Sequence, residues 1–369
     1  MLIGASQINE LNLSVGTLRP SQGQPLTYPN YNTPLECHMG EKAYAAWWEK
    51  NADKPVSQIP HAYTDIDINP DLPPDDIQRL TELHREFAVV FDVNKRELPP
   101  PAHHPPVELK FKKDWKHVHC PQPRWGPASR KVLTRWAQEG LDSGLYETST
   151  SPSASRIHVI AKYSSSQPKS TPIEECQLRF AGDYRAANEQ LDKSTPTLTN
   201  GHEELAKLPG HTIYFASDMY GMYNAYILGQ GPSRELLAVH TPLGPIQPTR
   251  CVFGEKNAGQ SATRPVRSAL TTLPNNAFDR TAYYVDDIAQ GAGNFKDLFE
   301  GWGDMLVLCR EQNWTLNPSK TRFGYPSTTF FGFEADAHGT RLADKNLDPI
   351  RRMFPPTDLA LVLALHEHT

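Results

Sequence analysis

Two consecutive aspartates, Asp286 and Asp287, stand between short apolar runs in the string Tyr284-Val-Asp-Asp287. Adjacent carboxylates repel, and a tight turn that holds both costs stability unless a cation neutralises them; oxygen-rich sites of this kind suit divalent metals. Residues 282–285 and 288–289 have the composition of two short strands, which puts the pair at a hairpin tip. A Tyr-x-Asp-Asp string arises by chance in roughly a few per cent of chains of this size, so a metal site needs a third ligand. Asp218 is the candidate. It follows the apolar run 211–217, which reads as a strand, and an acid at a strand's end can reach a hairpin tip on an antiparallel neighbour. Three acids there could hold two divalent ions about 4 Å apart, the arrangement used for in-line phosphoryl transfer. The competing reading makes Asp218 the cap of a helix that starts at Met219. The residues alone leave both open.

The elements that must position these acids follow from periodicity. Ile77, Leu80, Leu83, Phe87 and Val90 fall at helical spacing behind Pro73-Pro74. A strand is expected at 107–111 and a second helix at 127–141, with Val132, Leu133, Trp136 and Leu141 on one face. Residues 156–162 and 177–183 read as strands around a Ser/Pro-rich loop. Leu298, Phe299, Trp302, Met305, Leu306 and Cys309 share one face of a further helix, and a strand pair surrounds Gly332. Strands and helices mix without strict alternation, which predicts an α+β fold.

The length of 369 residues allows two or three subdomains. Residues 1–75, rich in Pro, Asn, Gln and Ser, read as an irregular leader or linker. The net charge of −5 does not suggest a nucleic-acid binder, but it is uneven: residues 1–106 carry 14 acids and 8 bases, residues 107–136 carry 8 bases and 2 acids. Trp115, Trp125 and Trp136 interleave that basic stretch, as a phosphate-facing surface requires; a solvated basic face is the plainer reading. Five scattered cysteines form no CxxC pair, which points to a reducing, intracellular setting, cytoplasmic or nuclear. No apolar run reaches membrane-spanning length, so no membrane partner is expected.

Several motifs then occur in a fixed order. Tyr214-Phe-Ala-Ser-Asp-Met-Tyr-Gly-Met-Tyr223 resembles motif A of reverse transcriptases from gypsy-type LTR retrotransposons, F-S-x-x-D-L-x-x-G-Y. Leu178-Arg-Phe-Ala-Gly-Asp-Tyr-Arg-Ala-Ala-Asn188 resembles the fingers motif R-x-x-x-D-Y-R-x-L-N. Thr241-Pro-Leu-Gly244, Phe253-Gly254 and Asn257-Ala-Gly259 resemble T-P-F-G…P-F-G-L-x-N-A. Leu316-Asn-Pro-Ser-Lys320 resembles L-N-P-x-K, Phe330-Phe-Gly-Phe333 resembles the F-L-G-H primer grip, and residues 149–155 resemble S-x-S-P-x-A-S. Together these motifs cover roughly residues 77–358.

The resemblance implies a polymerase right hand with fingers and palm, the palm an antiparallel sheet backed by helices and the thumb absent or truncated. It implies a helix and fingers at 76–200, palm at 201–228 and 261–340, a fingers return at 229–260, and a thumb or connection beginning at 341–369. Asp218, Asp286 and Asp287 would bind two magnesium ions, or manganese, with the Met219 carbonyl completing one coordination sphere. Arg179 and Lys162 would grip the triphosphate, with Lys169 a further candidate. Phe253, Gly254, Tyr284 and Val285 would line the substrate site. Tyr223 would exclude a 2′-hydroxyl and so select deoxynucleotides. Lys320 would protonate departing pyrophosphate or touch a backbone phosphate. Phe331, Gly332 and Phe333 would form the primer grip, while Asp183 and Arg185 would brace each other. The implied partners are an RNA or DNA template with its primer, deoxynucleoside triphosphates, and the protease, RNase H and integrase of a polyprotein. A decayed or host-adopted copy that binds without polymerising is the alternative.

Three departures from the pattern stand out. Gln260-Ser-Ala-Thr-Arg-Pro265 replaces the expected A-T-F-Q-like helix start, and Pro265 is tolerable only in a first helical turn. Glu255 replaces an apolar residue and would put an acid near the triphosphate path. The chain ends at Thr369, where a thumb would begin. Asp142-Ser143-Gly144 matches an aspartic-protease triplet but lacks the apolar strand that motif needs. His117, His119 and Cys120 lack a second ligand pair at zinc spacing and read as surface or loop residues.

Overall fold

The computed structural model describes residues 62–93, 98–162, 171–193, 200–274, 276–344 and 346–347. Most of the segment read as a leader, the 348–369 part of the expected thumb start, and Lys169 lie outside the described residues.

Strand β1 (Asp67–Ile68) leads into helix α1 (Pro74–Glu86), which opens on a proline whose missing N–H is no loss there. Helix α2 (Pro127–Asp142) opens the same way, followed by β2 (Tyr146–Thr148), β3 (Ile157–Ala161) and β4 (Leu178–Gly182). Next come α3 (Arg185–Glu189) and α4 (Gly201–Leu205), the latter capped by the Asn200 side chain, which accepts from the His202 amide. Strand β5 (Ile213–Asp218) precedes two single helical turns, α5 (Met222–Ala225) and α6 (Pro232–Glu235). Strands β6 (Val239–Thr241) and β7 (Gly244–Pro248) lead to α7 (Ala258–Leu270). The hairpin β8 (Thr281–Tyr284) and β9 (Asp287–Ala292) is followed by the long α8 (Phe295–Gln312). Strands β10 (Arg322–Tyr325), β11 (Ser327–Phe330), β12 (Phe333–Asp336) and β13 (Gly339–Leu342) complete the described elements.

These elements make an α+β fold, as the mixed pattern predicts. A five-stranded sheet in the order β1-β10-β5-β9-β8 is antiparallel except for the β1–β10 pair. Two three-stranded sheets, β11-β12-β13 and β2-β7-β6, and the β3–β4 hairpin accompany it. The expected strand at 107–111 is instead a pair of isolated bridges, Val107 to Leu228 and Phe111 to Leu191.

Alternation along β5 decides where Asp218 points. Ile213 and Phe215 join the main core with Ile288, Leu298, Trp302 and Phe323, while Tyr214 joins a second cluster with Ala282, Ala289 and Phe330. With a period of two, Asp218 shares the Tyr214 face, on the side where β11 packs. Trp302 is fully buried, and its indole N–H donates to His84 Nε2 at 2.9 Å; burial pushes that imidazole down to about 4, so it accepts as a neutral ring. Centring β5 and β9 between two cores fixes the strands that carry the acids. The rigidity of the site starts here.

Pro265 departs from expectation, because it lies inside α7 rather than in its first turn. Its ring removes one backbone donor and crowds the preceding turn, while buried Ala258, Ala262, Val266 and Leu270 hold the helix in place regardless. Pro265→Ala is therefore expected to stabilise the fold by about 1–3 kcal/mol, read as a higher urea midpoint with an unchanged slope.

Candidate active site

Asp218 ends β5 directly opposite Asp287, the first residue of β9, so two like charges face each other across one register. Asp286 occupies the preceding two-residue turn with Val285, closed by the Tyr284–Asp287 pair. Val285 has φ +57, a left-handed conformation that hairpin turns normally give to glycine and that a β-branched residue strongly disfavours. The expected strand thus stops one residue short of Val285, and only Asp286 is at the tip. Asp287 belongs to the strand. The Met219 amide donates to the Asp286 carbonyl at 2.7 Å, tying the turn to the end of β5. Asp218 caps no helix: the helical turn opens at Met222, after Gly221 at φ +58.

The three carboxylates each offer an oxygen within 4.8 Å of the others. Asp286 is held above the ordinary carboxylate range, first by burial and then by the Asp218 charge. A cation already answers part of that repulsion. Lys320 Nζ donates to Asp218 Oδ2 at 2.9 Å, carried by a helical turn bolted to β5 through the Asn317 amide and the Asp218 carbonyl (2.8 Å). Burial draws the Lys320 pKa down, but Asp218, Asp286 and Asp287 outweigh it and raise it overall. An all-oxygen set of three acids, with an ammonium drawn onto it, fits hard divalent cations of the magnesium kind. A cavity of about 250 Å³ adjoins the acids, lined by Asp218, Asp287, Lys320, Arg322, Thr328 and Phe330.

Phe331 (φ +50) and Gly332 (φ +81) form the two-residue turn between β11 and β12, ahead of Phe333. The Phe331 ring packs edge-on against Tyr284 at 4.6 Å, so this turn meets the hairpin that carries the acids. Tyr223 is half-buried, and its ring lies 4.3 Å from that of Phe253, which is 67% exposed. Gly254 (φ +90) follows, its carbonyl accepting from the Asn188 amide group at 2.8 Å. Arg179 on β4 and Lys162 directly after β3 stand exposed on the β3–β4 hairpin, in a sheet separate from the acids. Asp183 and Arg185 form a two-bond pair at 2.7 and 2.8 Å, with His158 3.6 Å from the same acid. The Arg185 guanidinium holds the Asp183 carboxyl far below its usual range.

Glu255 does not face solvent. It is 8% exposed, and its carboxylate accepts from the Asn257 amide at 2.8 Å within its own loop. Nothing in a one-residue change from apolar to acid reveals that inward turn. Among the described residues, His117, His119 and Cys120 form no three-ligand group. The eight cations of residues 107–136 are all exposed, and Phe111, Trp115 and His117 form a ring ladder at 4.5 and 4.9 Å.

Burial raises Glu255 from 4.5 to about 6. Between those values the folded state holds more protons than the unfolded one, so this carboxyl favours folding at low pH and opposes it as pH rises through 6. Glu255→Gln is expected to flatten that slope and to add up to about 2 kcal/mol of stability at neutral pH, measured by urea unfolding at several pH values.

No protein-family model matches the chain. It is 28% identical over 253 residues to the retrovirus-related Pol polyprotein from transposon 412 of Drosophila melanogaster, covering 68% of this chain and 20% of that protein. It is 20% identical over 278 residues to the transposon Tf2-3 polyprotein of Schizosaccharomyces pombe, covering 75% of this chain and again 20% of the relative. The chain thus spans about a fifth of the length of the curated relatives it matches. Among solved structures, the foamy viral protease-reverse transcriptase in complex with an RNA/DNA hybrid superposes with a TM-score of 0.67 at 16% identity, over 85% of this chain and 40% of that one. The same protein in complex with dsDNA gives 0.67 at 16%, over 85% and 61%.

Proposed function

We propose that this chain, a relative of LTR-retrotransposon polyproteins with the fold of a reverse transcriptase, adds deoxynucleotides to a primer 3′ end on an RNA or DNA template. The observation that carries this reading is the convergence of Asp218, Asp286 and Asp287 within 4.8 Å, on a strand end and a hairpin fixed by the central sheet. Two divalent cations, magnesium or manganese, would be held by these acids and, when bound, supply an acidified primer hydroxyl and a counter-charge to the phosphates.

The remaining roles fall to the chain's own groups. Tyr223, backed by Phe253, presents an aromatic edge where a ribose 2′-hydroxyl would need room. Arg179 would offer a planar fork and Lys162 a point charge to triphosphate oxygens, from a hairpin outside the central sheet. Lys320, already charged and beside Asp218, is placed to give a proton to departing pyrophosphate or to hold a backbone phosphate. The Phe331 turn, in contact with Tyr284, would hold the primer end against the acids. The exposed cations and ring ladder of residues 107–136 suit a polynucleotide backbone. The protease, RNase H and integrase of a polyprotein would be partners, in a cytoplasmic particle or the nucleus.

One observation favours a second reading, a copy that binds without polymerising. Gln260 Oε1 and Thr263 Oγ1 of α7 are buried with no protein partner, on the helix whose sequence departs from the family pattern. Primer extension on an RNA template with magnesium separates the two. The native chain is expected to extend, and Asp286→Asn to lose activity by about 10³-fold or more. Extension that survives Asp286→Asn would overturn the mechanism, and no extension by either would support the second reading. In an active chain, Tyr223→Ala is expected to raise ribonucleotide incorporation at least about tenfold relative to deoxynucleotide, a difference of about 1.4 kcal/mol.

A further inference from the structure

Arg250 is only 6% exposed, yet among the described residues no carboxylate pairs with it. Its Nη1 donates instead to the carbonyls of Asn224 at 3.1 Å and Ala225 at 3.4 Å. These are the last two residues of α5, the turn that carries Tyr223. A four-residue helix has too few internal bonds to hold its own shape, and its final carbonyls have no partner within it. Arg250 bonds both, and the Ala225 carbonyl also accepts from the Ala102 amide at 2.8 Å.

The surrounding backbone is laced to the same turn. The Tyr226 amide returns to the Tyr223 carbonyl at 3.2 Å, the Cys251 amide reaches the Tyr226 carbonyl at 2.9 Å, and the Leu228 amide reaches the Thr249 carbonyl at 2.9 Å. Phe253, three residues beyond Arg250, rests on the Tyr223 ring. A second buried arginine, Arg234, donates to the Leu228 carbonyl at 3.1 Å, but it is paired with Glu147 at 3.2 Å and does not touch α5. Burying a guanidinium without a counter-ion is costly, and an apolar side chain would fill the space more cheaply. What an apolar residue could not do is bond two adjacent carbonyls at once. Burial draws the Arg250 pKa down only to about 10, so the group stays charged at neutral pH.

We infer that Arg250 is a positioning residue for the sugar-selecting ring: by holding the Asn224 and Ala225 carbonyls it fixes the turn that bears Tyr223, and so sets how strictly deoxynucleotides are preferred over ribonucleotides. The inference rests on the polymerase reading above. A rigid ring edge rejects a 2′-hydroxyl; a ring on a loosened turn yields to it. The loss therefore falls on discrimination rather than on the chemical step.

The test compares the full chain with Arg250→Met, Arg250→Lys, Arg250→Gln and Arg234→Met in primer extension with deoxynucleoside or ribonucleoside triphosphates. Arg250→Met is expected to cut the ratio of deoxynucleotide to ribonucleotide kcat/KM by about tenfold or more, mainly through a lower KM for ribonucleotides. Lysine or glutamine, each retaining a donor, should restore part of the ratio. Hydrogen exchange should quicken at the Tyr226 amide in Arg250→Met. Arg234→Met should destabilise the chain without moving the ratio. A folded Arg250→Met with the native ratio overturns the inference, as does an equal shift in Arg234→Met, which would mean general loosening. If Arg250→Met does not fold, the folded glutamine variant decides: its shorter side chain should restore the ratio only in part, with faster exchange at the Tyr226 amide, and a fully native ratio with native exchange sinks the idea. A native chain that extends no primer defeats the polymerase reading itself, an outcome distinct from an active chain whose ratio ignores Arg250.

Discussion

Unit negative charges about 4 Å apart repel by about 1 kcal/mol in water and about 4 kcal/mol at the effective dielectric of a protein surface, and Asp218, Asp286 and Asp287 each offer an oxygen within 4.8 Å of the others. A loop would relax such a cluster by swinging one acid into solvent. Here the backbone does not allow it. Asp218 and Asp287 are registered opposite each other in the β5–β9 ladder, and Asp286 is tied through its carbonyl to the Met219 amide. The strands themselves are fixed by Phe215, Phe323 and Trp302 on one face and by Tyr214, Ala289 and Phe330 on the other. Packing of the central sheet thus overcomes the repulsion, and Lys320 relieves part of what remains.

Backbone strain is concentrated at the same place. Four described residues other than glycine have positive φ, and two of them, Val285 and Phe331, are bulky side chains in two-residue hairpin turns. Asparagine or glycine would be easier in either position. Both turns flank the acid cluster and touch through Tyr284 and Phe331. Strain that survives at two contacting turns requires neighbours that over-determine it. For Val285 those neighbours are the paired strands on either side. For Phe331 they include the side-chain amide of Asn346, which donates to the Gly332 carbonyl at 2.9 Å. The Phe331 ring also fills the space where a Cβ on Gly201 would fall, 2.7 Å away. A larger residue at position 201 would push on Phe331 and, through it, on Tyr284.

The α+β class and the strands, hairpin and helix around the acids were legible in period and composition, because a sheet buried on both faces leaves long apolar runs such as 211–217. Asp218 as a partner of Asp286 needed the ordered motifs, since a lone acid after a strand reads equally as a helix cap. The left-handed Val285 could not be read, because valine predicts strand and only the closing pair Tyr284–Asp287 forces it into the turn. Pro265 misled for a related reason: four apolar contacts along α7 outweigh a propensity that the sequence shows plainly. Glu255 and Arg250 were hidden by their charge. A charged residue is assigned to the surface by default, and what brings these two inside is a set of backbone groups contributed by their own loop and by a distant turn.

The departures from the pattern that the sequence resembles and the acid cluster sit on different parts of the framework. Asp218, Asp286 and Asp287 are carried by the central sheet, whereas Glu255, Gln260, Thr263 and Pro265 belong to α7 and the loop before it. The mutual repulsion of the three acids makes replacing any one of them stabilising in the absence of a cation. Val285 carries the same logic, since a glycine there would relieve strain. All four positions carry the costly residue. Gln260 and Thr263 leave buried polar atoms without a protein partner, on a helix packed through Ala262 and Val266. Asp218, Asp286 and Asp287 are thus positioned by strand register and by the Met219–Asp286 and Lys320–Asp218 bonds, none of which involves α7.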